Sequence, residues 1–338
     1  MLVDAHVHVF TRENLPESER KAFANLWAWG RNPRVGLNTQ PFTPPLGQRR
    51  GPWRDIAEVL PKMGVKSWDP DGVDILQTYM PTAGIDQVVD MTLDWGLAWG
   101  DEAEWGVRQN VAHAADLKAR YPGRYFYCVG VDPRRRDAPD IVEWAVREQG
   151  AAGVKLWPPS GFSPADPRCY RIYELARDLD FPVVVHVGIG DAPNFPEGCH
   201  PYQVARPAND FPQVQFVLAH AGGGLDGLWR EIMMIVGFLP NLAVDLGEWQ
   251  YPLPPSDLDP GREQEFIHVL NIFRRALGAS NIIYATDYVK GMDLSMQKWF
   301  ADLFRDLPAR ARKYGYRFTD QEAEQMRASN ARRIYGLG

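Results

Sequence analysis

The 338-residue chain has only three cysteines, Cys128, Cys169 and Cys199, far apart in sequence. An odd and scattered set does not build a disulfide framework and fits a reducing compartment, so a cytoplasmic protein is expected. No apolar run approaches the roughly 18 residues that a membrane-spanning helix needs. No charged stretch leading into an apolar segment opens the chain, so no secretory signal is expected. A basic excess is also missing, since 37 lysines and arginines stand against 43 acidic residues for a net charge of −6. Nothing in that balance would track a phosphate backbone; nucleic acid and membranes are excluded as expected partners, and a small-molecule substrate is expected. Low-complexity tracts, blocks of like charge and heptads are absent. Association into a homo-oligomer is left open.

What the chain does have is apolar material, 45% hydrophobic residues and 12% aromatics, enough to bury a large core. Its length is high for an average domain but ordinary for a single α/β barrel. The first apolar run, Val3-Asp4-Ala5-His6-Val7-His8-Val9, carries two histidines two residues apart. On a strand they share one face. Each buried neutral imidazole brings a donor and an acceptor that need partners. A transition-metal ion, with Zn²⁺ expected and Mn²⁺ the alternative, would take one nitrogen from each ring. A pair of hydrogen-bonded core histidines is the competing reading.

After that run, residues 11–53 lose periodicity and are dense in Pro, Gly, Asn, Gln and Trp. A long irregular segment in a compact domain is often a lid, and Trp27, Trp29, Phe42 and Trp53 are poor choices for a solvated linker. Residues 11–70 are therefore expected to form a cap inserted after strand 1. Beyond it, helical and extended patterns alternate. Apolar strand runs are expected at 87–93, 125–131, 153–157, 182–187, 214–220, 241–246 and 281–287. Helices are expected at 70–84, 102–120, 139–148, 167–180, near Tyr202, at 225–238 and around 266–277, with two or three more closing the chain. With the opening run this makes eight strands with helical crossovers, which predicts a single (β/α)₈ TIM barrel over 1–338. A doubly wound open sheet is the alternative.

Against that pattern the polar outliers fall at strand ends. His6 and His8 end the first strand, Lys155 lies near the end of the fourth, His186 the fifth, His220 the sixth and Asp287 the eighth. Active sites of β/α barrels are assembled at this level. Any one of these residues could be a satisfied core polar group, but together they point to a metal site. Glu248 and Trp249 after the seventh strand, and Arg206, Cys199 and His200 after the fifth, are expected to line the pocket on loop placement alone. His113 and His268 lie in helical patterns as surface or packing residues. Gly222-Gly223-Gly224 lacks the lysine and hydroxyl spacing of a P-loop and is expected to let the chain pass close to the metal.

The Val-Asp-Ala-His-Val-His opening, the strand-end histidines and the final aspartate resemble the amidohydrolase superfamily. The Leu218-Ala219-His220-Ala221-Gly222-Gly223-Gly224 segment and the closing Asn330-Ala331-Arg332-Arg333-Ile334-Tyr335-Gly336-Leu337 are similar to the amidohydrolase 2 branch, which holds lactone and related hydrolases beside non-oxidative decarboxylases such as aminocarboxymuconate-semialdehyde decarboxylase. The resemblance implies His6, His8, His186 and Asp287 as ligands of one divalent ion, with His220 beside the metal water as acid/base or transition-state stabiliser. Asp287 would both hold the ion and take the proton from water. Gly153-Val154-Lys155-Leu156 also resembles the fourth-strand segment of dihydroorotase-like members, where a carboxylated lysine bridges two metals. Lys155 and His220 would then serve a second ion; otherwise Lys155 is an ammonium facing an Asp or a substrate carboxylate. One ion is preferred. The activity implied is hydrolysis of a lactone, amide or similar C–O or C–N bond, with decarboxylation of an aromatic or unsaturated carboxylic acid as the alternative.

Overall fold

A computed structural model describes residues 1–20, 69, 71–188, 196–225, 227–250 and 261–338. Eight strands lie parallel and in chain order: β1 (Val3–Val7), β2 (Gln87–Met91), β3 (Tyr125–Gly130), β4 (Val154–Leu156), β5 (Val183–His186), β6 (Phe216–Ala219), β7 (Leu242–Asp245) and β8 (Ile282–Ile283). The first and last strands also meet. Ala5 N donates to Tyr284 O at 3.2 Å, Asp287 N to His6 O at 2.8 Å and His8 N to Tyr288 O at 2.9 Å. An open sheet would leave these groups at two separate edges. The seam excludes the doubly wound sheet that strand spacing alone allowed, and the architecture is a nearly closed (β/α)₈ barrel.

The helices between strands follow their local signals. Asp69 accepts from the amides of Asp74 and Ile75 at 3.0 and 3.3 Å, as a cap does, and Gly84 at φ 67° ends the turn that follows. The helix expected from 102 begins only at Val107, because Gly106 has extended backbone and its amide is taken by Gln109 Oε1 at 2.9 Å. The helix expected from 225 is Trp229–Val236, since Leu228 N is bound to Gly222 O at 2.7 Å in the preceding loop. Most of the expected cap, residues 21–68 and 70, lies outside the described residues. Residues 11–20 fold onto the segment after β2, with Trp105 N donating to Glu13 O at 2.7 Å and Ser18 N to Asp101 Oδ2 at 2.8 Å.

The strands sort their side chains with period two. Val154, Leu156, Val183, Val185, Phe216, Leu218, Leu242 and Val244 face the helices in one core. Val89, Met91, Phe126, Cys128, Val184, Val217, Ala219, Ala243 and Ile283 face the barrel interior in a second. The C-terminal segment closes that second core with Ala328, Ala331, Ile334, Tyr335 and Leu337. Asn330 docks it, its Nδ2 donating to Ala279 O and Ile282 O, both at 2.7 Å, at the start of β8. β1 breaks the alternation. Val3 and Ala5 face inward, yet Val7 belongs with Leu2 to the outer core, and the pairing with β2 shifts register between Asp4 and Val7. An irregularity of this kind re-aims side chains. It turns His6 and His8 toward the interior and leaves Asp4 facing out.

Candidate metal centre

Strand parity now explains which polar side chains reach the upper interior. Lys155 lies between the outward Val154 and Leu156, His186 continues the inward face of Val184, and Asp245 continues that of Ala243. His220 and Asp287 follow their strands through strained backbone. Five described non-glycine residues have positive φ; Asp180 ends a helix, and the other four are His220 (64°), Ala221 (44°), Glu248 (72°) and Asp287 (59°). Each such residue costs about 1–3 kcal/mol and persists only where its surroundings enforce it. Their gathering at one end of the barrel makes that end the candidate site.

The side chains form one connected group. Asp287 Oδ1 lies 2.9 Å from His8 Nε2 and 3.3 Å from His6 Nε2. Lys155 Nζ is 3.2 Å from His6 Nε2, and His186 Nδ1 is 3.1 Å from His220 Nε2. One ligand atom each from His6, His220 and Asp287 fall within 4.8 Å of one another. All six residues are buried.

Hydrogen-bond bookkeeping tests whether a cation fits. His8 Nδ1 lies 2.6 Å from Met91 O. A carbonyl oxygen only accepts, so Nδ1 carries the proton and Nε2 presents a lone pair to the Asp287 carboxylate. His6 Nδ1 likewise donates to Asp245 Oδ2 at 3.0 Å, and its Nε2 lone pair faces the same Asp287 oxygen. His186 Nε2 donates to Gly188 O at 3.1 Å, which leaves Nδ1 as the lone pair beside His220. Acceptors facing acceptors repel unless a cation lies among them; Lys155 Nζ, 3.2 Å from His6 Nε2, meets the lone pair of that ring, while His8 Nε2 faces the Asp287 carboxylate. Imidazole nitrogens with a carboxylate suit a divalent transition metal, and ring partners such as Asp245, Met91 O and Gly188 O orient such ligands.

The protonation states agree with this. Burial pushes His220 well below its ordinary value against the pull of Asp287. Burial and the Lys155 charge push His6 down against Asp245. Burial would raise Asp287, but the rings around it, His8 first and then His220 and His6, outweigh burial whenever they carry a proton and hold the carboxyl well below the usual range. Asp245 is held low in the same way by His6, His220 and Lys155. Burial lowers Lys155 to about 8, with Asp245 and Asp287 pulling upward. Neutral imidazoles beside an ionised carboxylate are the state in which these groups ligate metal.

Several expected pocket residues are placed elsewhere. Arg206 is on the exposed face of helix Tyr202–Asp210, paired with Asp210 at 2.6 Å, and is not brought into the group. Trp249 is fully buried against Phe266 and Phe273, with Nε1 donating to His220 O at 2.6 Å, so it braces the site from behind. Glu248 does reach the centre, with Oε1 3.6 Å from His220 Nδ1. His200 accepts from Tyr202 N at 3.3 Å in its own loop, and the Cys199 side chain lies outside the described residues. His113 sits against Trp105, and exposed His268 meets the Tyr316 hydroxyl. Of the three glycines, Gly222 is needed for packing rather than access, since a Cβ there would lie 2.6 Å from Trp229 N.

The sequence reading did not single out Asp245, although an acid ending an apolar strand on the inward parity is the same signal that marked His186. It also passed over an arc of rings linking two of the histidines. His8 stacks on Phe10 (5.1 Å), Phe10 meets Trp95 (5.9 Å), Trp95 meets Trp157 (5.2 Å) and Trp157 meets His186 (5.6 Å). Phe10, Trp95 and Trp157 come from three separate connections, and nothing local in the sequence shows that they touch.

The amidohydrolase family model matches residues 3–337. The chain belongs to the amidohydrolase family. No curated protein matches this family member by sequence. Among solved structures it is similar to an uncharacterised TIM-barrel protein from Bordetella bronchiseptica (17% identity, 99% of this chain and 98% of that one covered, TM-score 0.65). It is also similar to 5-carboxyvanillate decarboxylase from Novosphingobium aromaticivorans, complexed with manganese and 4-hydroxy-3-methoxy-5-nitrobenzoic acid (14%, 100% and 96%, 0.62). A third similar structure is a probable 2-pyrone-4,6-dicarboxylic acid hydrolase from Acinetobacter baumannii with citric acid bound (14%, 99% and 99%, 0.57). At these identities the likeness concerns the barrel. Among the described residues no helix of this amidohydrolase is long and apolar enough to cross a membrane.

Proposed function

We propose that this amidohydrolase is a metal-dependent hydrolase of a lactone, amide or similar C–O or C–N bond in a small molecule. The observation that carries the reading is Asp287, an ionised carboxylate held against His6 and His8 at the mouth of the barrel. His6, His8, His186 and Asp287 would hold one divalent ion, with Zn²⁺ as first choice and Mn²⁺ second. When bound, that ion supplies Lewis acidity, lowering the pKa of water and polarising the substrate oxygen. The chain's own part is proton handling. The Asp287 carboxylate takes the proton of the attacking water as the water oxygen bonds to the carbonyl carbon, then passes that proton to the leaving oxygen or nitrogen. His220, kept neutral by burial, serves as a hydrogen-bonding partner to the developing oxyanion rather than as a standing positive charge. The Phe10–Trp95–Trp157 arc gives the centre an apolar flank suited to a flat, unsaturated substrate. The free, buried Cys128 and Cys169 agree with a cytoplasmic setting.

Decarboxylation of an aromatic or unsaturated acid is the second reading, favoured by one feature: Lys155 is a cation buried against His6 that a substrate carboxylate could face. The two are separated by assaying the Zn²⁺- and Mn²⁺-loaded protein for acid release from lactones and amine release from anilides, with carbon dioxide release from aromatic acids in parallel. Chelator-sensitive hydrolysis is the expected result. Carbon dioxide release without hydrolysis replaces the first reading by the second. Elemental analysis with intact mass is expected to give about one ion per chain and an unmodified Lys155; two ions and a carbon dioxide adduct would establish the binuclear site.

A further inference from the structure

The connection after β7 grips two of the centre's histidines at once, through a residue outside the ligand set. Asp245 is fully buried and divides its two oxygens. Oδ2 accepts from His6 Nδ1 at 3.0 Å, while Oδ1 accepts from the His220 amide at 2.9 Å and the Gly247 amide at 3.0 Å. Four residues on, Trp249 Nε1 donates to the His220 carbonyl at 2.6 Å. One loop therefore holds His220 by both its N–H and its C=O, in a left-handed backbone at φ 64° that a residue with a β-carbon adopts only under constraint. Gly247 permits the approach, since a Cβ there would lie 3.0 Å from His220 Nδ1 and 3.2 Å from Asp245 Oδ1.

We propose that Asp245 is the positioning residue of the centre: it fixes His6 in the tautomer that leaves Nε2 as a ligand and anchors the strained turn that presents His220. The ligand half rests on the metal reading above; the tautomer half does not. An ionised carboxylate can only accept, so His6 Nδ1 must carry the proton. An amide of the same shape cannot do both jobs. With its oxygen kept on the amides of His220 and Gly247, its NH₂ faces His6 Nδ1 and donates, driving the ring proton to Nε2, the nitrogen that faces Asp287. The opposite amide orientation would set NH₂ against two buried backbone donors and leave them unsatisfied, so it is disfavoured. Asp245→Asn is thus close to isosteric, keeps the backbone contacts and reverses one proton.

The experiment is nitrogen-15 NMR of histidine-labelled, metal-free protein, with Zn²⁺ affinity measured by competition against a chromogenic chelator. Wild-type His6 is expected as the Nδ1–H tautomer and the D245N His6 as Nε2–H, with Zn²⁺ binding about 10–100-fold weaker in the variant. Comparable cooperative unfolding of both proteins shows that the loss is not one of folding. A His6 tautomer unchanged in D245N overturns the proposal whatever the affinity does. Should D245N fail to fold, the wild-type spectrum decides, since Nε2–H there also overturns it. A wild-type protein that binds no divalent ion sinks the metal reading, while the tautomer shift still decides on Asp245.

Discussion

Low in the barrel the inward positions are Val184, Ala243 and Ile283, packed on the C-terminal residues Ile334, Tyr335 and Leu337. Two residues further along the same strands the inward positions are His186 and Asp245, beside His6, Lys155 and Asp287. The two layers share one sheet, yet the lower is filled by apolar side chains and the upper by buried charges and imidazoles whose lone pairs converge. The strained residues His220, Ala221, Glu248 and Asp287 all belong to the upper layer. Apolar packing is thus concentrated where the C-terminal segment closes the barrel, and strained backbone at the candidate site.

The contrast can be broken from either end. Asp287→Asn should have the largest effect, with metal affinity falling by at least about 100-fold and turnover lost, because a ligand matters more than the residues that orient ligands. Metal content and activity of the purified variant check this, and full occupancy with retained turnover would remove Asp287 from the centre. Leu337→Ala, at the other end, should cost about 2–5 kcal/mol of stability by opening a cavity under the barrel. It should leave metal affinity within about twofold, since separated sites act independently. A matching fall in metal affinity would show that the two layers are coupled.

A smaller effect separates the layers by pH. His6 and His220 are pushed below their ordinary value of 6.5, so beneath that pH the unfolded chain binds more protons than the native one. Their contribution is complete above 6.5 and is lost as the pH falls toward their lowered values. Asp245 and Asp287, held below the usual 3.8, extend the loss further into acid. Buried Asp4, pushed up to about 7, works the other way in wild type and variants alike. The check is therefore a difference: from about pH 7.5 to about pH 5.5 the urea midpoint of metal-free wild type should lose more, or gain less, than that of His220→Asn. Leu337→Ala should keep the wild-type slope. Equal slopes in wild type and His220→Asn would mean that His220 titrates as an exposed histidine does.

All eight strands were legible because each is a continuous apolar run bounded by turn or helix signals, and the histidines, Lys155 and Asp287 because each interrupts such a run. Asp69 as a cap and Gly84 as a stop were readable from adjacent residues. The failures share a cause. Trp249 lies in the connection after β7 and Arg206 in the helix Tyr202–Asp210 after β5, but chain position carries no direction, and Trp249 turned onto helix Arg262–Leu277 while Arg206 turned to Asp210. The period-two argument placed His6 and His8 together, yet it could not see that β1 changes face between Ala5 and Val7 to bring them inside.

By itself the sequence determined what is local: which segments extend, which coil, and which polar side chains stand at the ends of apolar strands, since propensity and periodicity act over a few residues. Only the tertiary structure decided closure, the register slip in β1 and the partners of Asp245. Those depend on β1 meeting β8, which brings β7 within two strands of His6 and sets Asp245 against a ring 239 positions away in the chain, a contact that no local preference encodes.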